Sequence, residues 1–338
     1  MKHYAGIDVS LEASSVCVLD GEGRIFREAK VASEPEALIA WFGGLGVELD
    51  RIGLEAGPLS QWLFRAMADG GLPVELLESR HVSDALKSMP VKSDRNDARG
   101  IAHLIRLGWF RPVHCKSLAA QETRALLTAR RLLRAKLHDV EMSIRGILRN
   151  FGLKIGRTTW RGFGRRVEDL TEGHATLRLL TQALLTVRSA LEQEFRRLDG
   201  IVRRQARQDE RARLLMSVPG VGPIVSLTYV AAIDETGRFK SSKAAGPHFG
   251  LTPKRYQSGE TDHAGRISKK GDAAVRSALY EAANVILMLS KKSFGLKSWA
   301  QAIASRSGPR KAKVALARKL AVVMHRMLVD QTPYKATA

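Results

Sequence analysis

The sequence is short of everything a secreted or membrane-spanning protein needs. Its 338 residues include two cysteines, Cys17 and Cys115. Two thiols cannot build a disulfide framework or a four-ligand zinc site, so a reducing, cytoplasmic setting is expected. No stretch approaches the ~20 apolar residues of a membrane span, because charges interrupt every hydrophobic segment. The opening Met1-Lys2-His3-Tyr4-Ala5-Gly6-Ile7-Asp8 lacks the apolar run of a signal peptide. The nine histidines show no ligand spacing such as H-E-x-x-H, and there is no internal repeat. What is present, 44% hydrophobic residues over this length, predicts folding into two or three domains.

Acid is scarce in one part of the chain only. The net charge is +21. Residues 1–115 carry 13 basic and 16 acidic side chains, residues 116–210 carry 20 and 11, and residues 211–338 carry 22 and 7. A segregated cationic field suits a polyanion, since each neutralised phosphate releases counterions. Solvated basic helix faces would explain a smaller excess, but this one spans more than half the chain, which favours nucleic acid.

The first third, 1–115, reads as α/β. Tyr4–Ser10, Ser15–Asp20 and Arg24–Lys30 are β-prone runs separated by turn residues, and they predict a three-strand meander. Glu34–Phe42 reads as a helix with Ser33 as its cap and Pro35 at the first position. Arg51–Glu55, Gln61–Asp69 and Pro73–Leu77 form a strand–helix–strand unit that should add in parallel to the meander. In 116–210 the period changes. Leu133, Leu137, Val140, Ile144, Ile147 and Phe151, and then Leu177, Leu180, Leu184, Val187 and Leu191, are heptad seams. They predict helices over about 116–150 and 174–208, paired as an antiparallel coiled coil with a basic loop, Gly152–Arg166, at its tip. In 211–338, Ser217-Val218-Pro219-Gly220-Val221-Gly222-Pro223 precedes an apolar helix, Ile224–Ile233. Such a turn resembles a helix-hairpin-helix, in which Gly220 and Gly222 would let backbone amides reach a phosphate. A Gly- and Lys-rich loop follows, then helices near Asp272–Ser290, Ser298–Ser305 and Lys311–Asp330.

The acidic third holds four carboxylates of interest. Asp8 stands within the first expected strand, where an acid is costly to desolvate without a partner. Glu55 ends the fourth strand, and strand ends are where α/β folds place chemistry. Asp94 and Asp97 lie three apart at a helix start, on one face, although Asp94 alone could be a helix cap. Four converging acids would hold one or two Mg²⁺ ions in oxygen coordination, suited to phosphoryl transfer.

At these residues the chain becomes recognisable. Gly6-Ile7-Asp8-Val9-Ser10, Gly53-Leu54-Glu55-Ala56-Gly57-Pro58 and Lys92-Ser93-Asp94-Arg95-Asn96-Asp97-Ala98 resemble the RuvC-like domain of DEDD insertion-sequence transposases, the Piv/MooV-like, "IS-one-ten" group of bridge-RNA-guided recombinases. The resemblance implies an RNase H-like N-terminal domain with Asp8, Glu55, Asp94 and Asp97 as its metal-binding tetrad. A helical transposase domain would follow the coiled coil. A second block agrees: Gly250-Leu251-Thr252-Pro253-Lys254-Arg255, Gln257-Ser258-Gly259-Glu260, then Gly265-Arg266-Ile267-Ser268-Lys269-Lys270-Gly271-Asp272 and Val275-Arg276. In this family a serine forms a covalent link to DNA. The motif places it at Ser258, with Ser268 second and otherwise readable as a cap or phosphate contact at the next helix. Lys254, Arg255, Arg266, Lys269, Lys270 and Arg276 would bind the phosphodiester and offset its developing charge. A Ser258–His263–Asp262 triad is not expected, since three residues of one loop rarely adopt triad geometry.

The leading expectation is therefore a Mg²⁺-dependent, site-specific DNA transposase with a phosphoserine intermediate. It would be guided by a structured RNA, work as a homo-oligomer (dimer or tetramer) and be associated with the bacterial nucleoid. The alternative is a RuvC-type, structure-specific nuclease using the carboxylates alone. An actin-like ATPase or sugar kinase fits Gly6-Ile7-Asp8 but leaves the basic C-terminal third unexplained, and a non-catalytic DNA-binding protein would not need a buried Asp8.

Overall fold

Short strands with runs of consecutive buried residues set the first unit of the chain. A computed structural model describes residues 2–87, 89, 91–291 and 293–335; Met1 and the last three residues of the expected third domain lie outside this range. Two units are resolved, residues 1–116 and 117–338. In the first, β1 (His3–Asp8), β2 (Ala13–Leu19) and β3 (Ile25–Ala32) form the expected antiparallel meander. The Asp20 carboxylate shapes its second turn, between β2 and β3, by accepting the Glu22 and Arg24 amides, both at 2.9 Å. After α1 (Pro35–Gly43), β4 (Leu49–Glu55) pairs in parallel with β1. After α2 (Ser60–Asp69), β5 (Val74–Leu77) pairs in parallel with β4. The sheet order is β3-β2-β1-β4-β5, so the parallel addition expected from the sequence is present. Two more helices follow, α3 (Ser79–Leu86) and α4 (Asp94–Arg106).

Successive side chains of a strand point to opposite faces. Ala5 and Ile7 of β1, with Ile52 and Leu54 of β4, point to the face covered by Leu38 and Phe42 of α1 and Leu63 and Met67 of α2. Gly6 and Gly53 point to the other face, beneath α4. A Cβ on Gly6 would lie 2.3 Å from both the Ala102 nitrogen and the Ala98 oxygen, and one on Gly53 would lie 2.4 Å from Ile105 Cγ1. The helix backbone therefore rests directly on β1. Ser33 is not the cap of α1: its hydroxyl donates to the Ser10 carbonyl at 2.7 Å and pairs with Ser14, and Glu34 holds the cap position without a side-chain bond.

In the second unit, α5 (Leu118–Arg149) and α7 (Ala175–Gln208) run antiparallel, as Arg130–Asp199 and Glu141–Arg188 pairing shows. Their register departs from the expected seam. Leu180 and Val187 are exposed, and the buried positions of α7 lie one residue later, at Thr181 and Arg188. Phe151 is 61% exposed, and Leu148 is buried in its place. Arg188 stays charged in the core because Glu141 and Glu192 flank it and the Trp160 carbonyl accepts from it. The tip is not a plain loop either. Phe163–Leu170 forms α6, and Phe163 and Val167 close a small core with Ile144, Leu148, Ile155 and Leu177.

The chain continues through α8 (Glu210–Leu215) and α9 (Pro223–Ile233), in which every residue from Val225 to Ile233 is buried. After α10 (Ala245–His248), the expected Gly- and Lys-rich loop is instead a hairpin of β6 (Pro253–Ser258) and β7 (Thr261–Ile267). The three remaining helices are α11 (Ala273–Asn284), which runs into a π-helical turn at Val285–Leu289, α12 (Gly295–Ser307) and α13 (Pro309–Asp330). Phe249, Leu279, Ile286, Leu316, Leu320 and Met324 pack around α9, and the Tyr229 hydroxyl donates to the Ala321 carbonyl at 2.5 Å. Among the described residues no helix is long and apolar enough to cross a membrane.

The close approach at β1 gives a direct test. Gly6→Ala puts a methyl group against helix backbone that cannot rotate away, so urea unfolding should show a loss of about 3 kcal/mol or more. Gly43→Ala, where a Cβ meets nothing within 4 Å, should cost nothing. Equal stability of the two variants would contradict the packing described.

Candidate active site

Gly6-Ile7-Asp8 on β1 and Gly53-Leu54-Glu55 on β4 share one pattern: glycine, an apolar residue, then an acid. Ile7 pairs with Leu54 in parallel register, so Asp8 and Glu55 close neighbouring strands at the same edge. Each acid lies two residues past its glycine and so points to the face that α4 covers. The first turn of α4 brings Asp94 and Asp97 there. Ser93, not Asp94, caps this helix, accepting the Asn96 amide at 3.3 Å. Asp94 is thereby left with its carboxylate uncommitted to the cap. On the opposite flank of the helix, Arg95 and Arg99 both pair with Glu28 of β3, whose carboxyl those guanidiniums pull down to about 2. The positive side chains of α4 thus anchor the helix and its acids point to the strand ends.

The electrostatics follow from this placement. The Asp8 carboxyl is pushed up from 3.8 to about 6, first by burial and then by the charges of Asp97, Asp94 and Glu55. Glu55 is also raised, chiefly by burial, with Asp97 adding to it and the Ser79 hydroxyl and Lys92 opposing. Asp8 and Glu55 line a cleft of 310 Å³ with Ser10, Gly57 and Leu59. The four acids are neighbours rather than a closed cage. Among the described residues no three His, Cys, Asp or Glu side chains are drawn close enough together to hold a metal ion as they stand. Hard carboxylate oxygens of like charge at one sheet edge suit a divalent cation with oxygen ligands. Sequence reasoning passed over two contributors here, Ser79 and Lys92. Lys92 was visible beside Ser93, but nothing local ties Ser79 to Glu55.

The serines lie in the second unit. Ser258 ends β6 opposite Thr261, with Gly259 at φ +55 in the turn. Ser268 sits at the base of the hairpin, its amide donating to the Thr252 carbonyl at 2.8 Å. It does not cap α11; Asp272 does, accepting the Ala274 and Val275 amides. Two glycines let the strands converge at this base. A Cβ on Gly250 would lie 2.0 Å from the Lys270 oxygen, and one on Gly271 would lie 2.1 Å from the His248 oxygen.

The expected phosphate-binding residues divide. Lys254, Arg255, Arg266, Lys269 and Lys270 are exposed, with Arg255 bridged to Asp262 by bonds of 2.8 and 2.5 Å. Asp262 is thereby committed, and no Ser258–His263–Asp262 relay forms among the described residues. Arg276 instead braces the loop, donating to the carbonyls of Phe249, Lys270 and Gly271. Gly220, at φ +88, packs its Cα against Ile286, where a Cβ would come within 2.7 Å. Packing therefore requires this glycine, whereas Gly222 faces open space.

Comparison with known proteins now gives the class. A model of the DEDD transposase domain, described as "Transposase", matches residues 5–152, and one described as "Transposase IS116/IS110/IS902 family" matches 212–297. Together they take in more than half of the chain. The transposase for insertion sequence element IS1111A of Coxiella burnetii is 29% identical over 98% of this chain and 91% of its own length. The "Probable family 20 transposase" of Pseudomonas aeruginosa is 28% identical over 84% and 85%. The pilin gene-inverting protein of Moraxella bovis is 29% identical over 37% and 39%. The protein is a transposase. Within that class, the chain belongs to the IS110/IS116 family of insertion-sequence enzymes.

The raised Asp8 carboxyl predicts a pH dependence of definite sign. Between pH 3.8 and about 6 the folded chain holds a proton that the unfolded chain has released, so stability falls as pH rises through that window. In EDTA, Asp8→Asn should remove this fall and be more stable than the parent at pH 7, by on the order of 1 kcal/mol once solvent screening of this half-buried group is allowed for. Superimposable urea titrations of the two chains from pH 4 to 7 would contradict the crowding of acids around Asp8.

Proposed function

We propose that this transposase cuts and rejoins DNA through a covalent serine intermediate, with a divalent metal held by Asp8, Glu55, Asp94 and Asp97. The observation that carries the reading is the gathering of these four acids at one edge of a sheet whose order and directions we read as RNase H-like. Mg²⁺ is the metal we assign, because all four donors are carboxylates and the family is of the DEDD type. When bound, it would neutralise the acids and stabilise charge on the oxygens of a phosphodiester.

Ser258 supplies the nucleophile. Its Oγ bonds to the phosphorus as one phosphorus–deoxyribose oxygen bond breaks. The serine proton leaves, and the departing oxygen takes one up. Transesterification keeps one phosphoester bond throughout, so the strand can be passed to a second DNA end without an outside energy source. Exposure at a hairpin turn, beside a glycine with positive φ, leaves Ser258 Oγ open to a phosphodiester. Lys254 and Arg266 on the same hairpin would hold the phosphate. Among the described residues no base hydrogen-bonds to the Ser258 hydroxyl, so solvent or the substrate itself takes its proton. By the family resemblance a structured RNA supplies sequence recognition through base pairing, the active form is a dimer or tetramer, and the enzyme works at the nucleoid.

The test uses end-labelled DNA carrying the junction of the encoding element, incubated with the protein and its co-purifying RNA and run on a denaturing gel. The parent chain with Mg²⁺ should give a protein–DNA adduct. Ser258→Ala, Asp8→Ala and EDTA should each reduce it at least ~10³-fold, the scale of losing a nucleophile or a metal site, whereas Ser268→Ala should retain it. Cleavage without adduct in the parent would favour a hydrolytic RuvC-type nuclease. Adduct persisting in Ser258→Ala and absent in Ser268→Ala would move the nucleophile.

A further inference from the structure

Charge is treated differently along the α5–α7 hairpin. On the shaft, much of the cationic charge is paired within the chain, Arg130 and Arg203 with Asp199, Arg188 and Arg196 with Glu192, and Arg197 with Glu194, while Arg131, Arg204 and Arg207 are exposed without an ion pair among the described residues. At the tip that compensation stops. Residues 142–167 contain seven cations and no acid. Arg145 is turned inward, donating to the Gly156 carbonyl at 2.9 Å and lying over the Phe163 ring. The other six, Arg149, Lys154, Arg157, Arg161, Arg165 and Arg166, are all exposed, and none makes an ion pair among the described residues. The backbone beneath them is ordered by the small core of Ile144, Leu148, Ile155, Phe163, Val167 and Leu177. Six unpaired cations are thus held on a firm surface, at a cost in mutual repulsion that folding does not require.

The aromatic groups of the tip indicate what this surface takes. Phe163 is buried, and Trp160 lies against Phe195 with Arg134 and Arg196 over its ring. Trp160 and Phe163 are used internally, and Phe151, 61% exposed, is a single open ring rather than a stack of platforms for successive unpaired bases. What faces outward is cationic and suited to phosphates rather than to base edges. We infer that the hairpin tip is a docking surface for the backbone of duplex DNA, gripping it without regard to sequence and through residues other than the four carboxylates and the two serines. The inference rests on DNA being the substrate, but not on the assignment of Ser258 or the acids.

Fluorescence anisotropy of a labelled 30-bp duplex of arbitrary sequence, with the full chain in EDTA and a salt series, tests it. The triple variant Arg157→Gln, Arg161→Gln, Arg165→Gln should bind at least about tenfold more weakly. Its slope of log K against log salt should be shallower by about 2 to 3, since each lost phosphate contact removes about 0.9. The charge-keeping triple Arg157→Lys, Arg161→Lys, Arg165→Lys should bind as the parent does, which separates charge from folding. Binding is read in EDTA, where no strand is cut, so failure of the catalytic reading would not mimic failure here. Unchanged affinity and slope in the glutamine triple would overturn the inference. So would a loss confined to a single-stranded RNA probe, or to self-association read by sedimentation, since either would make the occupant something other than duplex DNA.

Discussion

One contact governs the first unit: the backbone of α4 lying on Gly6 of β1. Nothing larger than hydrogen fits between Gly6 and Ala98 or Ala102, and this sets both the height and the register of the helix. Once the helix is fixed there, alternation along the strand does the rest. Asp8 must emerge on the side of α4, Glu55 must emerge beside it through the parallel register of β4, and the first turn of α4 must present Asp94 and Asp97 to the same edge. Glu28 holds the other flank through Arg95 and Arg99. The cost of burying Asp8, and then of placing three other acids near it, is visible in its raised carboxyl, and a bound cation would relieve it.

The second unit manages the opposite sign. Its net positive charge is partly tied up in pairs, as at Arg124 with Asp272 and along the α5–α7 shaft, and partly left open at the hairpin tip and on the β6–β7 ribbon. Glycines are used here for close passage, at Gly220 against Ile286 and at Gly250 and Gly271 where the ribbon closes. An enzyme that moves DNA needs both provisions: acids where a phosphoester is to react, and uncompensated cations where the polyanion is to be held.

Much of the first unit was legible because its signals are local. Turn residues separate the strands, Pro35 starts α1, and the repeated Gly-apolar-acid pattern marks the two strands that carry acids. The failures have physical causes too. The β6–β7 hairpin was invisible as strand because both faces of β6 are exposed, so no alternation of apolar and polar residues records it. The α7 seam was misplaced because a buried position is occupied by Arg188, whose charge is satisfied by Glu192 one turn on and by Glu141 from the partner helix α5. In α6, flanking glycines and arginines masked the one useful signal, Phe163 and Val167 four residues apart. Ser33 and Ser268 have the chemistry of caps, but tertiary partners claim Ser33 and Asp272 displaces Ser268.

The claim on which the rest turns is that Asp8, Glu55, Asp94 and Asp97 act as one metal site. The direct measurement is Mn²⁺ binding followed by electron paramagnetic resonance, on the parent chain and on Asp8→Asn, Glu55→Gln, Asp94→Asn and Asp97→Asn. The parent should bind one or two ions, and each substitution should weaken binding by about tenfold or more, because removing any oxygen donor depletes the same charge cluster. Undiminished Mn²⁺ binding in all four variants would show that the acids merely share an edge of the sheet, and would contradict the account of this protein as a carboxylate-metal transposase.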